Sequence, residues 1–89
     1  MRGVAVKSRR DKDFRKLFDQ LPAHIQELAV RNFMLWKDNP WHPSLDFKPH
    51  QEPDWSVRIG AHYRAVGARN GNEILWYWIS THEAYNKLF

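Results

Sequence analysis

Apolar positions in the first half of the chain recur with helical spacing. Phe14, Leu17, Phe18 and Leu21 stand at i, i+3, i+4 and i+7 and make one stripe along a helix, while Asp11, Lys12, Arg15, Lys16 and Asp19 fill the opposite side. Pro22 breaks this segment and suits the first turn of a following helix, where its fixed φ is helical and its missing N–H is not needed. The second stripe runs through Ile25, Leu28, Ala29, Phe33 and Trp36 and stops at Asn39-Pro40. Two amphipathic helices joined by so short a break predict a helical hairpin.

From Trp55 the period changes to two. Trp55, Val57 and Ile59 alternate with Ser56, Arg58 and Gly60, and a second run spans His62 to Ala68. Asn70-Gly71 then supplies the residue pair that a tight hairpin turn requires. Glu73 to Ile79, rich in β-branched and aromatic residues, makes a third strand. Ser80-Thr81-His82-Glu83 reads as a capping box that opens a last short helix, Thr81 to Leu88. Residues 39–54 carry Pro40, Pro43, Pro49 and Pro53, so they form a connection with at most one short strand, near Leu45 to Lys48. Gly3 to Ser8, with Val4 and Val6, reads either as an edge strand or as an arm without structure. The predicted fold class is α+β: two N-terminal helices packed on a mainly antiparallel sheet of three to four strands, with a short C-terminal helix, in a single domain over residues 1–89.

Strand register carries a further expectation. A three-residue turn at Gly60-Ala61-His62 puts Arg58 opposite Arg64 on one face, whereas a two-residue turn sends them to opposite faces. The first arrangement also gathers Val57, Ile59, Tyr63 and Ala65 into a core face, and is favoured for that reason. By the same alternation Ile74, Trp76 and Trp78 join that core beneath the helices, and Leu75 and Tyr77 share the arginines' face.

Composition narrows the function classes. The chain of 89 residues has five tryptophans, enough large rings to build a compact core in so short a domain. It has no cysteine, which excludes disulfides and thiolate metal sites. No apolar run reaches membrane-spanning length, and Met1 to Arg10 lacks a signal-peptide core, so a cytoplasmic protein without membrane contact is expected. Lys and Arg outnumber Asp and Glu by 14 to 10, which suits a polyanionic partner and equally a surface kept basic for solubility. His42 and His50 are separated by loop and no HExxH spacing exists, so neither a metal nor a cofactor is expected. Trp41 and Trp55 can stack on bases or simply cover the edge of a small core.

Several segments together carry a family likeness. Trp55-Ser-Val-Arg-Ile-Gly60 is followed closely by Tyr63-Arg64, then by a hairpin and a strand ending Trp76-Tyr-Trp-Ile79, then by His82-Glu-Ala-Tyr85-Asn-Lys-Leu88. Arg15-Lys-Leu-Phe18, Leu21-Pro22 and a long second helix ending at Asn39-Pro40 extend the match forward. In this order and spacing the chain resembles the RelE/ParE superfamily of toxins from type II toxin–antitoxin systems. The resemblance implies a toxin held inactive by a cognate antitoxin. RelE-like and HigB-like members cut mRNA on the ribosome and ParE-like members poison DNA gyrase, so the likeness implies either activity; the residues favour the first.

Metal-free RNA cleavage needs a group that removes the 2′-hydroxyl proton, cations for the phosphate and a proton for the leaving oxygen. The resemblance implies that Arg64, the arginine after a tyrosine in its strand, contacts the scissile phosphate. Arg58 matches a basic position in the preceding strand. It also implies a catalytic or stacking role for Tyr85 and proton transfer for His82, which share one side of the last helix. Lys48, His50 and Lys87 are lesser candidates for RNA contact. As plain structure these residues would be solvated strand arginines, a tyrosine packing a helix, a first-turn histidine, loop residues and a lysine complementing a helix dipole. RelE-like toxins carry arginine between the last strand and the tyrosine; here Ser80 to Ala84 holds none, so either His82 takes over that part or the chain is no nuclease.

Overall fold

The computed structural model describes residues 7–89. Strand β1 (Lys7–Arg10) leads into helix α1 (Lys12–Asp19), whose start is fixed by Asp11: its carboxylate accepts the Phe14 N–H at 2.9 Å. Helix α2 (Ala23–Asp38) follows, with Pro22 at its N-cap position. The Gln26 side-chain amide donates to the carbonyls of Phe18 and Leu21 and so pins the break between the helices. Asn39 ends α2, and a single 3-10 turn (Pro43–Leu45) carries the chain to β2 (Lys48–Pro49), β3 (Asp54–Ile59), β4 (Tyr63–Asn70), β5 (Glu73–Thr81) and helix α3 (His82–Leu88).

The five strands form one sheet in the order β1-β5-β4-β3-β2. All neighbours are antiparallel except β1, which runs parallel to β5. The α+β architecture is as expected, with one or two strands more than the sequence pattern suggests. Both additions are short edge strands, too brief to show a period: Lys7–Arg10 has no apolar side chain, and Lys48–Pro49 has two residues. The expected front segment lies mostly outside the described residues, Val4 and Val6 included. Leu45 belongs to the 3-10 turn and is fully buried, and the short strand begins at Lys48.

Between the helical hairpin and the sheet lies the main core: Phe14, Ala29, Trp36, Leu45, Val57, Ile59, Ala65, Ile74, Trp76 and Ile79. Trp76 is its hub, with ring centroids 5.3 Å from Phe33 and 5.5 Å from Trp36, both edge-on. The Gly60-Ala61-His62 turn has the anticipated length, and Arg58 pairs with Arg64 in register. The β4–β5 ladder, however, shifts between Val66 and Gly67: Val66 faces Trp78, Gly67 faces Trp76, and Tyr77 is the extra residue of a bulge. Trp78 therefore leaves the helical core, contrary to the alternation, and Ile79 takes the inward position. Gly67 permits the bulge because a Cβ there would lie 2.9 Å from Trp76 and Ile74 side-chain atoms and 3.0 Å from the Leu75 carbonyl oxygen.

Trp78 instead packs on the other face of the sheet, its ring 5.2 Å from Phe89 and 6.3 Å from Tyr85. Helix α3 covers that face. Its cap is Thr81, whose hydroxyl accepts the Ala84 N–H at 3.1 Å; the box expected from Ser80 starts one residue too early, because β5 runs through Thr81. No helix among the described residues is long and apolar enough to cross a membrane.

Candidate functional site

Strand alternation puts Ser56 and Arg58 of β3 and Arg64 and Val66 of β4 on the face that α3 covers. Arg58 remains exposed, but Arg64 is almost fully buried. A guanidinium so placed must find acceptors. Its Nη2 donates to the Ser56 hydroxyl at 3.0 Å and to the Asp46 carbonyl at 3.1 Å, while Nη1 reaches the Asp46 carboxylate at 3.4 Å. The Arg64 Nε is buried without an acceptor. The Tyr85 ring lies beneath the guanidinium, 5.2 Å from Cζ to centroid, a cation–π contact.

Tyr85 is the centre of an aromatic cluster. His50 lies 5.8 Å away edge-on, Phe89 5.5 Å away and His82 6.1 Å away, the last two stacked. The phenol is buried and its O–H donates to the Ser56 hydroxyl at 3.4 Å, so its ring is what the cluster uses. His82 is exposed in the first turn of α3, with its backbone N–H on the His62 carbonyl at 2.7 Å. The histidine is thereby held over the tyrosine by the turn that joins β3 and β4.

Asp46 closes the site toward Lys48. Its Oδ2 stands 3.3 Å from Lys48 Nζ and 3.4 Å from Arg64 Nη1. Burial raises the carboxyl pKa, but the hydrogen bond from Lys48 and the charges of Lys48, Arg64 and Arg58 outweigh it and hold the group below its usual range. On the flank, burial and the hydrogen bond and charge of Asp54 push the Tyr77 phenol up, so it stays neutral.

Of the residues singled out by sequence, Arg64, Tyr85, His82, His50 and Lys48 come together, and Arg58 adjoins them. Lys87 stands exposed in the last turn of α3, and no ion pair or hydrogen bond ties it to this cluster among the described residues. Arg64 lies under α3 and Asp46 rather than in solvent. Asp46 and Ser56 join the site without a signal in the sequence. Ser56 reads as the polar half of an alternating strand, and Asp46 meets Arg64 across 18 positions of chain, where no local pattern signals it. Among the described residues no three His, Asp or Glu side chains gather as a metal site would need.

The arrangement offers cations for a phosphate, two imidazoles for proton transfer near neutral pH and aromatic rings for stacking. A family model described as the ParE-like toxin domain matches residues 23–87. The chain belongs to the ParE-like toxin family. Its fold is that of solved toxins. A chain of the RelB–RelE antitoxin–toxin complex from Methanococcus jannaschii superposes with a TM-score of 0.71 at 19% identity, covering 91% of this toxin and 98% of that chain. One from the toxin–antitoxin complex RelBE2 of Mycobacterium tuberculosis gives 0.72 at 18% identity over 89% of this toxin and 100% of that chain. A YoeB/ParE toxin from Agrobacterium tumefaciens gives 0.65 at 18% identity over 86% and 99%. A search of curated protein sequences finds no match to the toxin.

Proposed function

We propose that this toxin is a metal-independent endoribonuclease that cuts mRNA on the ribosome and is restrained by a cognate antitoxin. The antitoxin is supported by two of the structural neighbours, which are complexes of that kind. The observation that carries the nuclease reading is the convergence of one guanidinium and two imidazoles on the Tyr85 ring. Arg64, Lys48 and Arg58 bind the scissile phosphate, the buried arginine from below and the exposed pair from the solvent side. His82 takes the proton of the 2′-hydroxyl, the resulting oxyanion attacks phosphorus, and a 2′,3′-cyclic phosphate forms as the P–O5′ bond breaks and the leaving 5′-oxygen takes up a proton from water. Tyr85 acts by its ring, carrying Arg64 and the histidines in fixed relation.

Purified toxin mixed with mRNA, with and without translating ribosomes, tests this by primer extension. New ends are expected only when ribosomes are present. His82→Ala, at an exposed position, is expected to lower cleavage about 100-fold or more with the melting temperature unchanged. Full cleavage by that variant removes His82 from the mechanism.

A second reading, a gyrase poison without catalysis, is favoured by one feature: Arg64 is already paired with a carboxylate, and Ser80 to Ala84 supplies no other arginine. DNA damage with intact mRNA after induction would establish it in place of the first.

A further inference from the structure

Arg64 is a buried cation with an anion on its open side. The arginine side chain is 4% exposed and that of Asp46 36%. One oxygen of Asp46 bridges Arg64 and the more exposed Lys48, at 3.4 and 3.3 Å. A non-bridging oxygen of a phosphodiester has the same charge, the same hydrogen-bonding capacity and the same two cations to satisfy. The main chain builds this carboxylate in: Asp46 ends the 3-10 turn with φ +44°, a left-handed conformation that aspartate adopts more readily than most residues, and its N–H bonds the Pro43 carbonyl at 3.2 Å. Yet the internal pairing is incomplete, because the Arg64 Nε is buried with no acceptor. A phosphate, with two free oxygens, can take the carboxylate's place at Nη1 and reach Nη2 as well, an end-on bidentate pairing that the guanidinium fork accommodates.

We infer that Asp46 is an internal stand-in for substrate phosphate: its carboxylate occupies the oxyanion position between Arg64 and Lys48, and a phosphodiester of single-stranded RNA binds there by displacing it. The inference rests on the nuclease reading and adds a selectivity device to it. A free inorganic anion must displace Asp46 with nothing to offset the loss. An RNA strand brings further contacts, to Arg58 and to the aromatic cluster, that do offset it. The toxin is thereby kept from binding small anions while remaining open to a polymer.

The test titrates the full-length toxin by calorimetry with inorganic phosphate and with an RNA of about six nucleotides, a length within one groove, made uncleavable by 2′-deoxy substitution. Asp46→Asn keeps the shape and one acceptor but removes the charge, and Asp46→Ser is a second neutral variant. Both are expected to bind the RNA about ten-fold tighter or more than the wild type, and to bring phosphate binding into the measurable range. Adding Arg64→Ala to Asp46→Asn is expected to cancel the gain. If both neutral variants fold and bind RNA no tighter, while Arg58→Ala or His82→Ala still weakens RNA binding, the inference is wrong and the nuclease reading stands. If none of these substitutions changes RNA affinity, the nuclease site itself is wrong. Failure of both neutral variants to fold would make Asp46 a fixed structural counter-ion, which also overturns the inference. A gain for phosphate as large as that for RNA would assign the position to free phosphate instead.

Discussion

Ser56 shows how much one small side chain can hold at the residue scale. It is fully buried, and its single hydroxyl accepts from both Arg64 Nη2 and the Tyr85 phenol. Removing that oxygen leaves one N–H of Arg64 Nη2 and the Tyr85 O–H without an acceptor in a buried place, and the desolvation of such groups is costly. Ser56→Ala is therefore expected to destabilise the toxin by about 1–3 kcal/mol in urea unfolding, with lowered RNA cleavage as Arg64 and Tyr85 lose their common anchor. Unchanged stability would mean that Arg64 does not depend on this bond. The pairing of Asp46 carries a pH dependence of definite sign. A carboxyl held below its ordinary 3.8 contributes stability that is present above that value and lost as pH falls through its lower folded value. Thermal melts of the wild type should thus fall more steeply below about pH 4 than those of Asp46→Asn.

At the scale of the element, the bulge in β5 decides which face receives which aromatic ring. Without it, strict alternation sends Trp78 beneath the helical hairpin and Ile79 to the α3 side. With it, Trp78 packs against α3, and Tyr85 gains a neighbour on the face that holds Arg64. Gly67 is the residue opposite that allows the close approach. Gly67→Ala is expected to cost about 1–3 kcal/mol by overcrowding Trp76 and Ile74 and the Leu75 carbonyl, which cannot all move aside. Amide exchange should report the damage first along β4 and β5, ahead of α1 and α2. Equal protection in wild type and variant would show that the bulge does not need glycine.

For the molecule as a whole, Trp76 is the residue at which three parts of the fold meet. Its ring packs on Phe33 and Trp36 from the helices, its indole N–H donates to the Ser8 hydroxyl at 3.0 Å, and its carbonyl accepts the Asp11 N–H at 3.0 Å. The helical hairpin, the parallel edge strand and the central hairpin thus share one residue. Trp76→Ala is expected to cost about 3–5 kcal/mol, a large part of the stability of a domain this small. The expected readout is a single unfolding transition at lower urea, shared by fluorescence and circular dichroism. Two separated transitions would show that the layers hold together without it.

The helical hairpin, the three long strands and the facing of Arg58 and Arg64 were legible in the chain itself. Spacing of Phe14, Leu17, Phe18 and Leu21, the turn at Gly60-Ala61-His62 and the Asn70-Gly71 pair act within a few residues, and local periodicity and turn chemistry fix such features. The same locality hid the rest. The bulge at Tyr77 interrupts a period that has to be assumed continuous to be read at all, so the pattern predicts the wrong face for Trp78. The edge strands exist only because β5 and β3 offer them partners. Burial of Arg64 depends on α3 folding back over the sheet and on Asp46 arriving from the Pro-rich connection. Sequence determined which residues could carry charge, proton and ring to a common face; only the packing of distant segments decided which of them are buried, what neutralises them and what remains open, because desolvation and ion pairing depend on three-dimensional neighbours and not on chain order.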